Sequence, residues 1–129
     1  MMLRVLMAAA ALCAAAAPAM AADPAAGEKA FAVCKACHKV GEGAKNGVGP
    51  TLNGIVGRPA GSAEGYKYSD AMKSSGITWD ETSLAEYLKN PKAKVEGNKM
   101  AFPGVKDDAK IADIIAFLGQ FNADGTKKQ

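Results

Sequence analysis

Apolar residues recur with a helical period at several places along the chain, and nowhere do they alternate convincingly with polar ones. Ile111, Ile114, Ile115 and Leu118 stand at i, i+3, i+4 and i+7, which predicts a strongly amphipathic C-terminal helix. Leu84, Tyr87 and Leu88 form a second stripe. It is opened by Thr78-Trp79-Asp80-Glu81, whose threonine and glutamate have the spacing of a capping box, and Pro91 ends it. Ser69-Asp70-Ala71-Met72-Lys73, with Gly76 behind it, reads as a short helix with a glycine C-cap. Asp23-Pro24 supplies an N-cap and a proline at the first helical position, so a further helix is expected from there through Val33. Gly27 within it costs about 1 kcal/mol relative to alanine, which suggests a place where another helix crosses closely, with Phe31 one turn on as the packing knob. The class is all-α.

Between Lys39 and Gly65 the periodicity stops and glycine takes over, at 41, 43, 47, 49, 54, 57, 61 and 65. Connections that long are uncommon in compact domains unless they wrap something. The glycines lack the spacing of either phosphate-binding pattern.

The N-terminus changes the composition of the folded part. Met1-Met2-Leu3-Arg4, an apolar run from Val5 to Ala17 and the small residues Ala19-Met20-Ala21-Ala22 read as a secretory signal peptide, residues 1–21, with cleavage after Ala22 as the alternative. The run is shorter than the ~20 apolar residues of a membrane-spanning helix. Cleavage leaves a domain at 22–129, 108 residues, whose tail 124–129 reads as frayed. It removes Cys13, leaving Cys34 and Cys37, and four methionines, leaving Met72 and Met100. Losing Arg4 takes 16 basic residues to 15 against 13 acidic ones, so the charge falls from +3 to +2. A free-standing soluble protein of the periplasm is expected, a monomer with no nucleic-acid partner.

The chemistry is concentrated in Cys34-Lys35-Ala36-Cys37-His38. Cys-x-x-Cys-His is the attachment pattern of a c-type haem: thiols one turn apart each add to a vinyl group, and the adjoining imidazole serves as an axial ligand. A thioredoxin-like pair would follow a strand in a βαβ pattern, which is lacking, and a structural zinc would want four ligands where the mature chain offers two cysteines and one histidine. A single haem c, bound through Cys34 and Cys37, also gives the glycine-rich stretch something to wrap. His38 is the only histidine, so a second histidine ligand is impossible. The other axial position falls to methionine, lysine or tyrosine, or stays open. Met72 sits within the short helix, whereas Met100 lies in the irregular stretch Gly97 to Gly104. The residues alone leave Met100 open between ligand and core filler.

Taken together, Gly27 with Phe31, Cys34 to His38, Asn46-Gly47-Val48-Gly49-Pro50-Thr51-Leu52, Gly57-Arg58, Tyr66-Lys67-Tyr68-Ser69-Asp70-Ala71, Gly76-Ile77-Thr78-Trp79, Tyr87-Leu88-Lys89-Asn90-Pro91 and Lys99-Met100 are specific. Over almost the whole mature length the chain resembles the class I c-type cytochromes, is similar to mitochondrial cytochrome c and is closer still to the bacterial soluble cytochrome c2 type. The resemblance implies three to five helices and long loops around one covalent haem, with the terminal helices crossing where Gly27 and Phe31 meet Ile114 and Phe117. It implies Met100 as the ligand opposite His38, Pro50 as carbonyl acceptor for the other ring nitrogen of His38, and Arg58, Tyr68 and Trp79 as donors to the haem propionates. Tyr87 would reach the Met100 sulfur and Phe102 would cover the haem edge. One departure is Glu96-Gly97-Asn98, where the family often has Pro-Gly-Thr; Asn98 could still donate to a propionate.

The function implied is one-electron transfer between membrane redox complexes, the cytochrome bc complex as donor and a terminal oxidase or photosynthetic reaction centre as acceptor, rather than enzyme catalysis. Lys35, Lys39, Lys89, Lys92, Lys94, Lys99 and Lys106 would ring the exposed haem edge and steer docking to acidic surfaces, with Glu96 the one acid among the later lysines. The competing reading is a small haem enzyme or gas-binding protein with an open iron position. The sequence offers it no distal histidine.

Overall fold

The computed structural model describes residues 21–129, and the signal sequence read at 1–21 lies, save for its last residue, outside the described residues. Within these residues five α-helices follow one another: α1 Pro24–Ala30, α2 Asp70–Lys73, α3 Glu81–Lys89, α4 Pro91–Lys94 and α5 Asp108–Leu118. Among the described residues, β-pairing is confined to two isolated bridges, Pro59 with Thr78 and Phe121 with Lys127.

The local signals explain where most helices start. Asp23 caps α1 by accepting from the Ala25 N–H, with Pro24 in the first turn. The helix does not run on as α through Val33. It tightens into a 3₁₀ turn over Phe31–Cys34, a common ending for a helix. Ser69 caps α2 through the Met72 N–H, and Gly76 takes φ +69° after it. Asp107 caps α5 at Ala109 and Lys110.

The start of α3 differs from expectation. The capping box is Asp80 with Ser83, not Thr78 with Glu81. Thr78 and Trp79 are held in extended backbone by a distant segment: the Trp79 N–H donates to Arg58 O at 3.0 Å and its carbonyl accepts from Gly57 N at 2.6 Å. The helix therefore opens only at the next residue with a capping side chain. Pro91 ends α3 and also starts α4, whose cap is Asn90, accepting from Ala93 N at 3.2 Å.

The terminal helices pack against each other, and α3 lies against α5. Every position of the predicted α5 stripe is buried: Ile111, Ile114, Ile115 and Leu118. Gly27 lets α1 come close. A Cβ built there would lie 1.9 Å from the Asp113 carbonyl oxygen. One turn on, the Phe31 and Phe117 rings meet at 5.4 Å, and the Asp23 N–H donates to Asp113 Oδ1 at 2.8 Å. Hydrogen bonds run through the tail that the sequence suggested is frayed. Asn122 N donates to Thr126 O at 2.8 Å and Lys128 N to Gln120 O at 2.7 Å. The turn between them sits tightly against Gly41 at a buried Gly125.

Candidate cofactor site

The helices and the long helix-free stretch between Cys34 and Asp70 enclose a cavity of ≈ 290 Å³. Cys34, Cys37, His38, Pro50, Arg58, Tyr68, Trp79, Tyr87 and Met100 all line it, as do Phe31, Phe102 and Ile114. Residues spread over more than sixty positions of sequence are thus brought to one apolar chamber.

The 3₁₀ turn carries Cys34, and the turn that follows it delivers Cys37 and His38. Cys37 N and His38 N both donate to Cys34 O, at 3.1 and 2.9 Å, so the backbone stays coiled through the motif and both thiols fall on the cavity. Both cysteines are half-buried and free. Burial, with Cys37 beside it, pushes the Cys34 thiol up. That is the direction opposite to the depressed pKa of a redox-active nucleophile.

The His38 Nδ1 lies 2.8 Å from the Pro50 carbonyl oxygen. A carbonyl only accepts, so Nδ1 carries the proton and Nε2 keeps a free lone pair, the tautomer an axial ligand needs. Burial lowers the His38 pKa, outweighing the Pro50 contact, and Arg58 lowers it further. The glycine-rich segment builds this arrangement. Gly49 N donates to Cys37 O at 2.8 Å and Leu52 N to Lys39 O at 3.1 Å. A Cβ on Gly49 would stand 2.5 Å from His38 Cε1 and 2.8 Å from its Nδ1, so no side chain fits against the ring. Asn46 holds the segment from behind, accepting from Thr51 N at 2.9 Å and donating to Glu64 O at 2.8 Å. Sequence reasoning gave neither residue a role, although both lie in the segment that carries the family resemblance.

On the other elements, the Tyr87 hydroxyl approaches Met100 Sδ at 3.9 Å. Burial raises the Tyr87 pKa to about 12, with Tyr66 adding to it, so the phenol stays neutral and able to donate. Trp79 packs on Tyr87 with ring centroids 5.0 Å apart. Arg58 donates from Nη1 to Asn53 O and from Nη2 to Thr51 O, both at 3.0 Å. Its Nε is buried without a protein partner. Tyr68 accepts from Ala63 N at 2.9 Å, which leaves its own hydroxyl proton to give. The lining fits a haem: apolar walls, two thiols and an imidazole at one side, a thioether, and a buried guanidinium N–H that lacks an acceptor a propionate would supply.

Asn98 and three of the lysines make contacts that the sequence did not suggest. Asn98 does not reach for a propionate: both its amide protons are used, donating to Pro91 O at 2.9 Å and Val95 O at 2.8 Å. Lys94 is paired with Glu86 at 2.5 Å and Lys89 with Asp108 at 3.0 Å. Lys106 donates to Lys89 O at 2.7 Å. These contacts lie at the surface; Lys35, Lys39 and Lys92 are exposed, and Lys99 sits on the cavity rim, donating to Lys67 O at 3.2 Å. The rim also carries Val33 and Val48, 64% and 75% exposed, which periodicity had given no role.

The Cytochrome c family model matches residues 24–122. Cytochrome c2 of Blastochloris viridis is 56% identical over 117 residues, 91% of this chain and 92% of its own length. Cytochrome c-554 of Methylosinus trichosporium is 61% identical over 108 residues, 84% of this chain and 82% of its own. Among solved structures, cytochrome cH from Methylobacterium extorquens superposes with a TM-score of 0.71 at 58% identity, covering 75% of this chain and 97% of that one.

Proposed function

The chain belongs to the cytochrome c family, as an electron carrier with one covalent haem c rather than an enzyme, and from that premise we propose that it shuttles single electrons between membrane respiratory or photosynthetic complexes in the periplasm. The signal sequence, removed at 21 or 22, supports export; no helix among the described residues is long and apolar enough to cross a membrane. The observation that carries the reading is that both thiols, the His38 imidazole and the Met100 thioether line one cavity.

Haem c supplies a one-electron ferrous–ferric couple when bound. Cys34 and Cys37 would hold it covalently, and His38 and Met100 would ligate its iron. Pro50 fixes the His38 tautomer and raises its donor strength, whereas a thioether is a poor donor to ferric iron and favours the reduced state. Tyr87, neutral and buried, donates toward that sulfur. Arg58, Tyr68 and Trp79 offset the cost of burying a propionate. Ligation by both His38 and Met100 would leave the iron no open position for a substrate, which separates this reading from an open-site enzyme or gas-binding protein. The test is the ferric spectrum of the haem-loaded protein. A sulfur-to-iron charge-transfer band present in the wild type and absent from Met100→Ala supports the carrier, and a high-spin wild type sinks it.

Docking is assigned to the exposed lysines Lys35, Lys39, Lys92 and Lys99, together with Val33 and Val48 on the cavity rim. With charge this mild, the gain is in encounter rate more than in affinity. Oxidation by partner membranes is expected to slow as salt rises through the range where a Debye length shrinks to about 10 Å or less. A rate that stays flat with salt would remove the steering role and leave the electron-carrier reading standing.

A further inference from the structure

The segment carrying Met100 is fastened on both sides, and we infer that Asn98 and Lys106 are positioning residues that hold its thioether toward the cavity. The inference rests on the reading of Met100 as an axial ligand. Upstream, Asn98 is a three-way bracket. Its two amide protons go to Pro91 O and Val95 O, and its Oδ1 accepts from Met100 N at 2.8 Å. Pro91 and Val95 are both buried, so the backbone of Met100 is tied through one side chain to the two ends of α4.

Downstream, the chain returns to the end of α3. The last carbonyls of a helix have no partner within it. Leu88 O accepts from Val105 N at 2.8 Å, and Lys89 O accepts from Lys106 Nζ at 2.7 Å, the same amine reaching Pro103 O at 3.2 Å. A cation suits this end of a helix, where the peptide dipoles leave negative charge. Gly104, at φ +110°, makes the approach possible, since a Cβ there would lie 2.3 Å from Lys89 O. The same turn of α3 carries Tyr87, whose hydroxyl faces Met100 Sδ. Lys106 therefore registers the thioether segment against the helix that presents its hydrogen-bond donor. The sequence gives Lys106 the look of a docking lysine and Asn98 that of a propionate donor; the contacts give both a different task.

If these contacts act as clasps, losing either lets the segment open locally while the α1–α5 pair stays closed. The experiment uses haem-loaded wild type, Asn98→Ala and Lys106→Met, with Lys110→Met, at an exposed lysine, as the control. Two readouts are followed: the ferric sulfur-to-iron band on heating, alongside far-UV circular dichroism, and amide exchange by NMR. In both variants the band is expected to disappear well before helicity is lost, and in Lys110→Met to persist as in the wild type. Exchange is expected to quicken about tenfold at Met100 in Lys106→Met and at Val105 in Asn98→Ala, bonds that those substitutions do not themselves remove, with Ile114 unchanged. Band and helicity lost together, with wild-type exchange at Met100 and Val105, overturns the inference. So does acceleration that extends to Ile114, which would mean general loss of stability. A wild type without the band overturns the ligand assignment itself, and this inference with it.

Discussion

Gly27→Ala is expected to destabilise the protein by about 3 kcal/mol or more, although alanine in a helix interior normally gains about 1 kcal/mol over glycine. The added methyl would lie 1.9 Å from the carbonyl oxygen of Asp113, 2.4 Å from its carbonyl carbon and 2.9 Å from Phe117 Cβ. Two of the three are backbone atoms of α5 and cannot rotate aside. Relief comes only by moving the helices apart, which loosens Phe31 against Phe117 and breaks the bond from Asp23 N to Asp113. Because α1 leads directly into the 3₁₀ turn bearing Cys34, the displacement also reaches the cofactor site. In a domain of this size the loss corresponds to a melting temperature lower by on the order of 15 °C. Thermal unfolding of the haem-loaded variant checks this, with Glu28→Ala, an exposed neighbour, as the control expected to stay within about 0.5 kcal/mol. A Gly27→Ala protein that melts at or above the wild type would mean that the crossing is looser than these contacts.

Gly27 also marks what kind of feature a sequence makes legible. A glycine placed in a good helix is a local cost, and the cost points to something nonlocal that compensates for it. The α5 stripe is legible for a similar reason, because burial imposes a period and all four positions of the stripe are buried. Cys34 to His38 are legible because the chemistry fixes their spacing. Features decided by contacts far along the chain were not. Thr78 has the right side chain and spacing to cap α3, yet Gly57 and Arg58 hold the following residue in extended backbone and hand the cap to Asp80. Lys94 and Lys106 look like free surface charges, since nothing in a lysine announces its partner; Glu86 and the end of α3 claim them only once the chain is folded. Asn98 had been read against the residue that other family members place there, and its amide instead turns inward to close the loop. The cofactor site was thus readable as a set of residues. The bracing that aims those residues was not.

The same cavity that makes the site predicts that the chain cannot keep its fold without haem. Left unfilled, ≈ 290 Å³ would cost about 7 kcal/mol at ~24 cal/mol per Å³ of cavity. That rivals the whole stability of a small domain, 5–15 kcal/mol. The buried Arg58 Nε would add the cost of a polar group without a partner. The helices have little to set against this: α2 and α4 are four residues each and α1 is seven, too short to persist without packing. Cys34→Ala/Cys37→Ala protein freed of haem is therefore expected to show a weakly helical far-UV spectrum and no cooperative thermal transition. Wild-type chain produced without attached haem should behave alike, which separates loss of the cofactor from any effect of the substitutions. Collapse of the walls is the one escape open to the haem-free chain. It would require α3 and the glycine-rich segment to repack on α5, and so would appear as native-like helicity with a cooperative melt, the result that would refute this account. Binding free energy and folding free energy are then one quantity in this protein, and the thioether bonds, by keeping the cofactor from leaving, keep the fold from leaving with it.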